Sequence, residues 1–477
     1  MQNSWVEWSN PLYMIAYQKN YFHSYNELTW TMSSESTGIF YPIYLFYGPL
    51  IFAIGAVLPL QPMTTLVVML ISANALGALG IALIVKDRIP SRRLIFALVF
   101  FGTYNFWNAW NIYRNAMILM NIAGGVLWLG LGLLSIGIMK NKKKYFIYSG
   151  IVIGLVAWIH NITFYILTPL AFLILVLFHF ANGEILIRER VKSWILWLLS
   201  LMITASPISM WAFLYSGKTV AGVALPLQLS PSTWIDILWQ PVTNFEIFIP
   251  ATLFIISVFL IWESRQKKLM LVPGLGIFIL LFILLFRTNH SQGLWNLISF
   301  ISARVQFPDR FLFLINILMV LSLIICFSLK LEERRSRILS GALMALLIFN
   351  FLQTANLSIR TQPTYGEFGK PNVGKISEGQ ASSIFTQHTA VTIQYLMPYY
   401  KTYFPQEGEI SGTLGFKLTG KAATHSESNP GVYESNLVSG PWLRCENAKI
   451  LGTNNVNGMA ILEVLQRAPI ICKFRLF

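Results

Sequence analysis

Apolar runs of membrane-spanning length punctuate the first 354 residues, at 43–60, 63–85, 94–110, 116–139, 145–160, 162–181, 193–215, 246–263, 269–287, 310–329 and 337–354. A helix needs about 20 consecutive apolar residues to cross the hydrocarbon core of a bilayer, and short polar connections separate these runs. The pattern predicts an all-α polytopic membrane protein of about 10–11 transmembrane helices over 43–354. After residue 354 the pattern changes. Gly, Ser, Thr and Asn become frequent, and "GTLGFKLTG" (412–420), "AVTIQYL" (390–396) and "ILEVLQRAPIICKFRLF" (461–477) show the short, β-branched, alternating character of strands. Residues 355–477 are therefore expected to form a small β-rich domain, entered through the linker-like "RTQPTYGEFGKPNVGKISEGQ". Residues 1–42 carry no span-length run and are expected to be a short, truncated outer loop. The opening "MQNSWVEWSN" lacks the basic and apolar regions of a signal peptide.

Composition agrees with that division: 55% of the 477 residues are hydrophobic and 12% charged, against roughly a quarter charged in an ordinary soluble domain. Charge then orients the runs. The connections 86–93, 140–144, 181–193, 264–268 and 330–337 hold 18 Lys and Arg, whereas 110–116, 160–161, 216–245 and 287–310 hold 5. The positive-inside rule assigns the first set to the cytoplasm and the second set, with the β-rich domain, to the outside. A net charge of +15 raises the prospect of nucleic acid, but its concentration in short connections between apolar runs is explained by membrane orientation, so nucleic-acid binding is set aside. Topology at the start stays open, because "YGP" at 47–49 permits either a crossing or a re-entrant path for 43–60.

The expected outer side gathers the unusual polar residues. "YNFWNAWNIYRNAM" (104–117) places Arg114 among Asn and Tyr, where a guanidinium can hold a phosphate through paired hydrogen bonds or serve as one snorkelling member of an interfacial aromatic belt. "RTNHSQGLWNLISFISARVQFPDRFLFL" (287–314) offers His290, Arg304, Asp309 and Arg310, with Pro308 and Asp309 also reading as helix-start signals. In "GLVAWIHNITFYILTP" (154–169) the His160–Asn161 pair reads as a tight turn between two spans, or as part of an outer anionic-ligand pocket shared with Arg114, His290, Arg304 and Arg310. No metal-ligand spacing occurs, so no metal is expected, and no cofactor. Cys326 lies inside a span and reads as a packing residue, while Cys445 and Cys472 share the outer segment and can pair if the compartment is oxidising.

Four patches in order, "GIFYPIYLFYGPL" (38–50), "YNFWNAWNIYRNA" (104–116), "AWIHNITFYILTP" (157–169) and "VQFPDRFLFLINIL" (305–318), resemble the bacterial multi-spanning proteins grouped as "membrane protein, 6-pyruvoyl-tetrahydropterin synthase-related domain". That group is similar to a branch of the GT-C glycosyltransferase superfamily. The resemblance covers roughly residues 38–330. It implies a GT-C-like fold that uses a polyprenyl-phosphate-linked sugar at the outer face of a bacterial cytoplasmic membrane, in cell-surface polysaccharide synthesis. Two departures bear on catalysis. The family's first span and its outer acidic residue do not precede the "FYP" at 40–42, and no Glu follows "YRNA". Glu7, Glu27 and Glu35 are the acidic residues of the N-terminal segment, and Glu27 or Glu35 is the candidate base.

The expected function is therefore a GT-C-like glycosyltransferase or a degenerate relative, with Arg114, Arg304 and Arg310 at the departing phosphate. A non-catalytic scaffold of a surface-polysaccharide system is the alternative that a missing carboxylate predicts. A transporter is less favoured, since acidic residues avoid the span centres and no internal repeat is evident. The expected partners are the bilayer and the lipid-linked sugar donor.

Overall fold

The structure is a computed structural model that describes residues 4–34, 38–41, 44, 48–103, 118–161, 163–184, 191–216, 241–286, 311–329, 408–440, 442–454 and 459–475, with single positions between 341 and 406. It is mostly helical with a C-terminal β region, as the residue pattern predicts. It divides into two compact units. One comprises 1–8, 66–209 and 226–367, and the other 9–65, 210–225 and 368–477.

The helical unit is built from α3 (Pro62–Val85), α4 (Arg92–Thr103), α5 (Ile118–Lys140), α6 (Lys143–Ala157), α7 (Thr168–Ala181), α8 (Val191–Ser216), α9 (Pro241–Glu263), α10 (Leu271–Phe286) and α11 (Leu312–Ser328). Among the described residues four helical stretches are long and apolar enough to cross a membrane: Pro62–Val85, Ile118–Lys140, Thr163–Ala181 and Val191–Met210. They coincide with four of the expected spans. The runs at 145–160, 246–263, 269–287 and 310–329 also hold helices, α6, α9, α10 and α11. The run at 337–354 lies outside the described residues apart from four single positions.

Contacts fix the direction of each helix. α3 and α5 run parallel in backbone contact, because glycines remove the side chains that would separate them: a methyl built on Gly125 would lie 2.1 Å from the Ala73 carbonyl oxygen, and one on Gly80 2.2 Å from that of Trp128. α6 returns antiparallel to α5, with Ser149 Oγ donating to the Gly130 carbonyl at 2.8 Å and Trp197 Nε1 of α8 donating to Ser149 Oγ at 3.2 Å. α10 places Phe282 beside Phe311, ring centroids 5.9 Å apart, so its other end lies with the C-terminus of α11. The helices from α3 to α11 thus alternate in direction. The described residues of connections 86–93, 140–144, 181–193 and 264–268 fall at one end, here the basic end. Two ion pairs tie that end together, Lys140 to Asp87 at 3.4 Å and Arg88 to Glu184 at 2.6 Å.

The second unit joins the two extremes of the chain. α1 (Ser4–Tyr25), a 22-residue helix where the pattern predicts only a loop segment, leads into the hairpin β1 (Met32–Ser34) and β2 (Gly38–Tyr41). α2 (Pro49–Val57) follows; its nine residues rise about 13 Å, less than half a bilayer core. Lys19 of α1 closes the end of α2, its ammonium donating to the carbonyls of Leu58 at 2.8 Å and Leu60 at 2.5 Å.

The C-terminal strands are β3 (Ile410–Leu414), β4 (Lys417–Thr419), β5 (Ala422–His425), β6 (Gly431–Val438), β7 (Leu443–Glu446), β8 (Ala448–Thr453), β9 (Met459–Val464) and β10 (Ile470–Phe474). One sheet has the order β1-β2-β6-β9-β8, with β3 also on β6, and the other β4-β5-β10-β7. β2 joins the first sheet by a parallel pairing of Ile39 with Leu437, which ties residues 9–65 to the C-terminal strands of this unit. Phe40, Trp442 and Phe474 pack as neighbouring rings, with Trp442 fully buried. Cys445 and Cys472 face each other across β7 and β10 and form a disulfide.

Candidate functional site

The end of the helical unit remote from the basic turns carries a polar core that its apolar helices would not suggest. α4 stops at Thr103, α5 starts at Ile118, and α11 starts beside Phe311, so the described ends of the connections bearing Arg114 and Arg310 lie at this end. Asn316, fully buried one turn into α11, donates from Nδ2 to the Gly102 carbonyl of α4 at 3.0 Å across 214 residues of sequence. A buried amide inside an apolar helix is costly without a partner, and this bond supplies one while cross-linking α4 to α11. Beside it lies a cavity of about 10 Å³, room for one water molecule, lined by Asn74, Thr103, Asn121, Trp128 and Phe313 with the α3 and α5 glycines. The Trp128 indole N–H is buried and has no hydrogen-bond partner among the described residues.

His160 sits at the same end, beyond the last turn of α6. Its Nδ1 lies 2.8 Å from Thr163 Oγ1 and accepts the Thr163 backbone N–H at 3.3 Å. An Nδ1 that accepts leaves the neutral ring's proton on Nε2. The imidazole therefore acts as an N-terminal cap for the π-helical turn Thr163–Leu167 that opens into α7, in the way an Asn or Ser caps an α-helix. Thr168 Oγ1 donates to the Thr163 carbonyl at 3.0 Å, a side-chain bond that spans the same turn. Asn161 is the half-buried residue next to it.

Glu27 lies in the other unit, just after α1. Its carboxylate is held by Lys421 at 2.5 Å and approached by the Tyr21 hydroxyl at 3.4 Å, with the two ion-pair side chains 44% and 55% exposed. Glu35, Arg114, His290, Arg304, Asp309 and Arg310 lie outside the described residues. The shared pocket expected of Arg114, His160, His290, Arg304 and Arg310 thus has His160 as its described member.

A second charged cluster, at the basic end, escaped the sequence reading. His179, fully buried in the last turn of α7, donates from Nδ1 to Glu184 Oε2 at 2.5 Å, and Arg88 Nη2 donates to the same oxygen at 2.6 Å. With the proton of Nδ1 directed at the carboxylate, the 3.3 Å approach of Arg88 Nη2 to that nitrogen is proximity and not a hydrogen bond. The Arg88 guanidinium also covers the Phe178 ring at 4.6 Å. Burial pushes the Glu184 carboxyl up, but the hydrogen bonds from His179 and Arg88 and the guanidinium charge outweigh it, so the group titrates below its ordinary value. The cluster clamps connection 86–93 to the end of α7. Its sequence signal was a lone His two residues before a turn, which does not identify a partner.

Among the described residues no group of His, Cys, Asp and Glu is arranged to hold a metal. Comparison with known proteins finds no matching family model, no matching curated protein and no matching solved structure.

Proposed function

We propose that the chain is a polytopic membrane protein, similar to GT-C glycosyltransferases, that handles a polyprenyl-phosphate-linked sugar at the extracytoplasmic face of a bacterial cytoplasmic membrane. The observation that carries this reading is the Asn316–Gly102 hydrogen bond. It cross-links α4, which leads into the family-like patch 104–116, to α11, whose first residues belong to the patch 305–318, at the end remote from the basic turns. Independent support for an extracytoplasmic β-rich unit comes from the Cys445–Cys472 disulfide, since such bonds persist in oxidising compartments. In this reading Arg114, Arg304 and Arg310 stabilise charge on the departing polyprenyl phosphate, and a carboxylate takes the proton of the acceptor hydroxyl.

A specific observation favours a second reading. Glu27, one of the two candidate bases, is spent on an ion pair with Lys421, an arrangement suited to a structural tie. A non-catalytic scaffold that still binds the lipid-linked sugar would keep that tie. The experiment that separates the readings incubates the purified protein with radiolabelled polyprenyl-phosphate sugars and an extract of cell-envelope glycan as acceptor, and follows donor binding, sugar transfer to the acceptor and release of polyprenyl phosphate. Transfer lost by about a hundredfold or more in Glu27→Gln or Glu35→Gln supports the enzyme. Binding with no turnover supports the scaffold, and absence of binding overturns both.

A further inference from the structure

We propose that the basic end of the helical unit is a seat for the phosphate-diester headgroups of acidic phospholipids, an inference that rests on the reading of this unit as bilayer-spanning. Lys142, Lys143 and Lys144 on the α5–α6 turn, Arg92 and Arg93 opening α4, and Lys267 in the α9–α10 turn are all exposed. Two of the acidic groups beside them are paired within the protein: Asp87 with Lys140 at the surface, and Glu184 under Arg88 and His179. Glu263 is a further exposed acid at this end, but among the described residues the exposed cations outnumber the exposed acids, so the outward charge is predominantly positive.

The placement of the lysines is unfavourable within the protein itself. They crowd the N-terminus of α6, where the helix dipole is positive, and neither α4 nor α6 has an acidic residue in its first turn to offset the cations. An anion outside the protein relieves both. Ring contacts set the depth: Lys144 Nζ lies 5.3 Å from the Tyr145 ring centroid and Lys267 Nζ 5.3 Å from that of Trp262, whose side chain is exposed. Aromatic rings with ammonium groups at the ends of apolar helices are the pattern of the headgroup layer, where the lysine stem lies along apolar surface and the charge reaches the phosphates.

The test places the full chain in nanodiscs of phosphatidylcholine with a minor share of phosphatidylglycerol and measures retained lipid by native mass spectrometry. The wild type should retain phosphatidylglycerol preferentially, with the preference falling about fivefold for each lysine lost in a K142Q/K143Q/K144Q series and collapsing at about 0.5 M salt. The same substitution at exposed Lys417 and Lys449 of the β-rich unit should leave it unchanged. Equal retention of both lipids by the wild type, or wild-type preference in the triple variant, overturns the proposal. So does displacement of the acidic lipid by a short oligonucleotide at equal charge, which would mark a surface for soluble polyanions. Carbonate extraction separates the two levels of failure. A chain stripped from membranes breaks the bilayer reading, while one that stays without lipid preference breaks only this inference.

Discussion

The two ends of the helical unit solve the problem of polar groups among apolar helices in opposite ways. At the basic end the ionised groups are either paired with one another, as in Arg88–Glu184 and Asp87–Lys140, or exposed on short turns. At the other end the polar groups of the candidate site are neutral, amides, hydroxyls, an indole and the His160 imidazole, and the amides and the indole are drawn inward to Asn316–Gly102 and the cavity bordered by Asn74, Asn121 and Trp128. Charge is cheap where water can reach it and costly where it cannot, so charge marks the outside of a helical bundle and neutral polarity marks its interior. The contrast teaches where specificity can reside: an anchoring surface at one end and a shaped polar interior at the other.

The largest effect expected is at the close approach of α3 and α5. Gly125→Val places a branched side chain against the Ala73 backbone, which has no means of retreat, and should lower stability by about 3 kcal/mol or more, read as loss of monodisperse protein on gel filtration. A Cys445→Ser/Cys472→Ser pair should cost about 2–4 kcal/mol in the β-rich unit and leave the helical unit's melting unchanged, which sharpens the division into two units.

Glu184→Gln keeps the shape of the clamp and removes its charge, at a cost of about 1–3 kcal/mol. Because the folded carboxyl titrates below its ordinary value of 4.5, the clamp's contribution is fully present above that pH and is lost as pH falls through the lowered folded value. Thermal melts of the wild type should therefore converge on those of the variant in acid. A gap that widened on acidification would contradict the assignment.

At the opposite end His160→Ala should cost about 1 kcal/mol through loss of the cap on Thr163, and His160→Asn should recover part of it. If His160 also serves the proposed sugar site, both variants lose complementation of a surface-glycan defect equally, which a pure capping role does not allow. Trp128→Phe gives up an indole N–H that has no partner among the described residues, so no hydrogen bond is lost, and its cost of about 1 kcal/mol, measured by the same melts, is that of the buried ring volume removed beside the cavity.

Helix placement was legible because the signal is local. Runs such as 63–85 and 116–139 match α3 and α5 to within a few residues, and the excess of Lys and Arg separated the connections that the contacts gather at one end. The β2–β6 pairing was not legible. It joins four residues near the start of the chain to a strand some 400 residues later, and "GIFY" has too short a pattern to announce a parallel partner. Nor was the polar interior. Asn74, Asn121 and Asn316 are single amides within long apolar runs, where they barely change hydropathy, and their meaning lies in which helix they face. His160 and Asn161 did stand out as polar neighbours in an apolar stretch, but the capping role of the imidazole depends on the π-helical turn that follows, which spacing alone does not predict.

The central proposal is that the helical unit spans a membrane with its basic end in the cytoplasm and that the β-rich unit lies outside. It is tested most directly by single cysteines on a background with Cys326 replaced by serine, placed at Lys142 in the α5–α6 turn and at Ser411 in β3, both exposed. With a membrane-impermeant maleimide on intact cells, the cysteine at 411 should label and that at 142 should label only after permeabilisation. Labelling at 142 with silence at 411, or labelling of both in intact cells, would contradict the account.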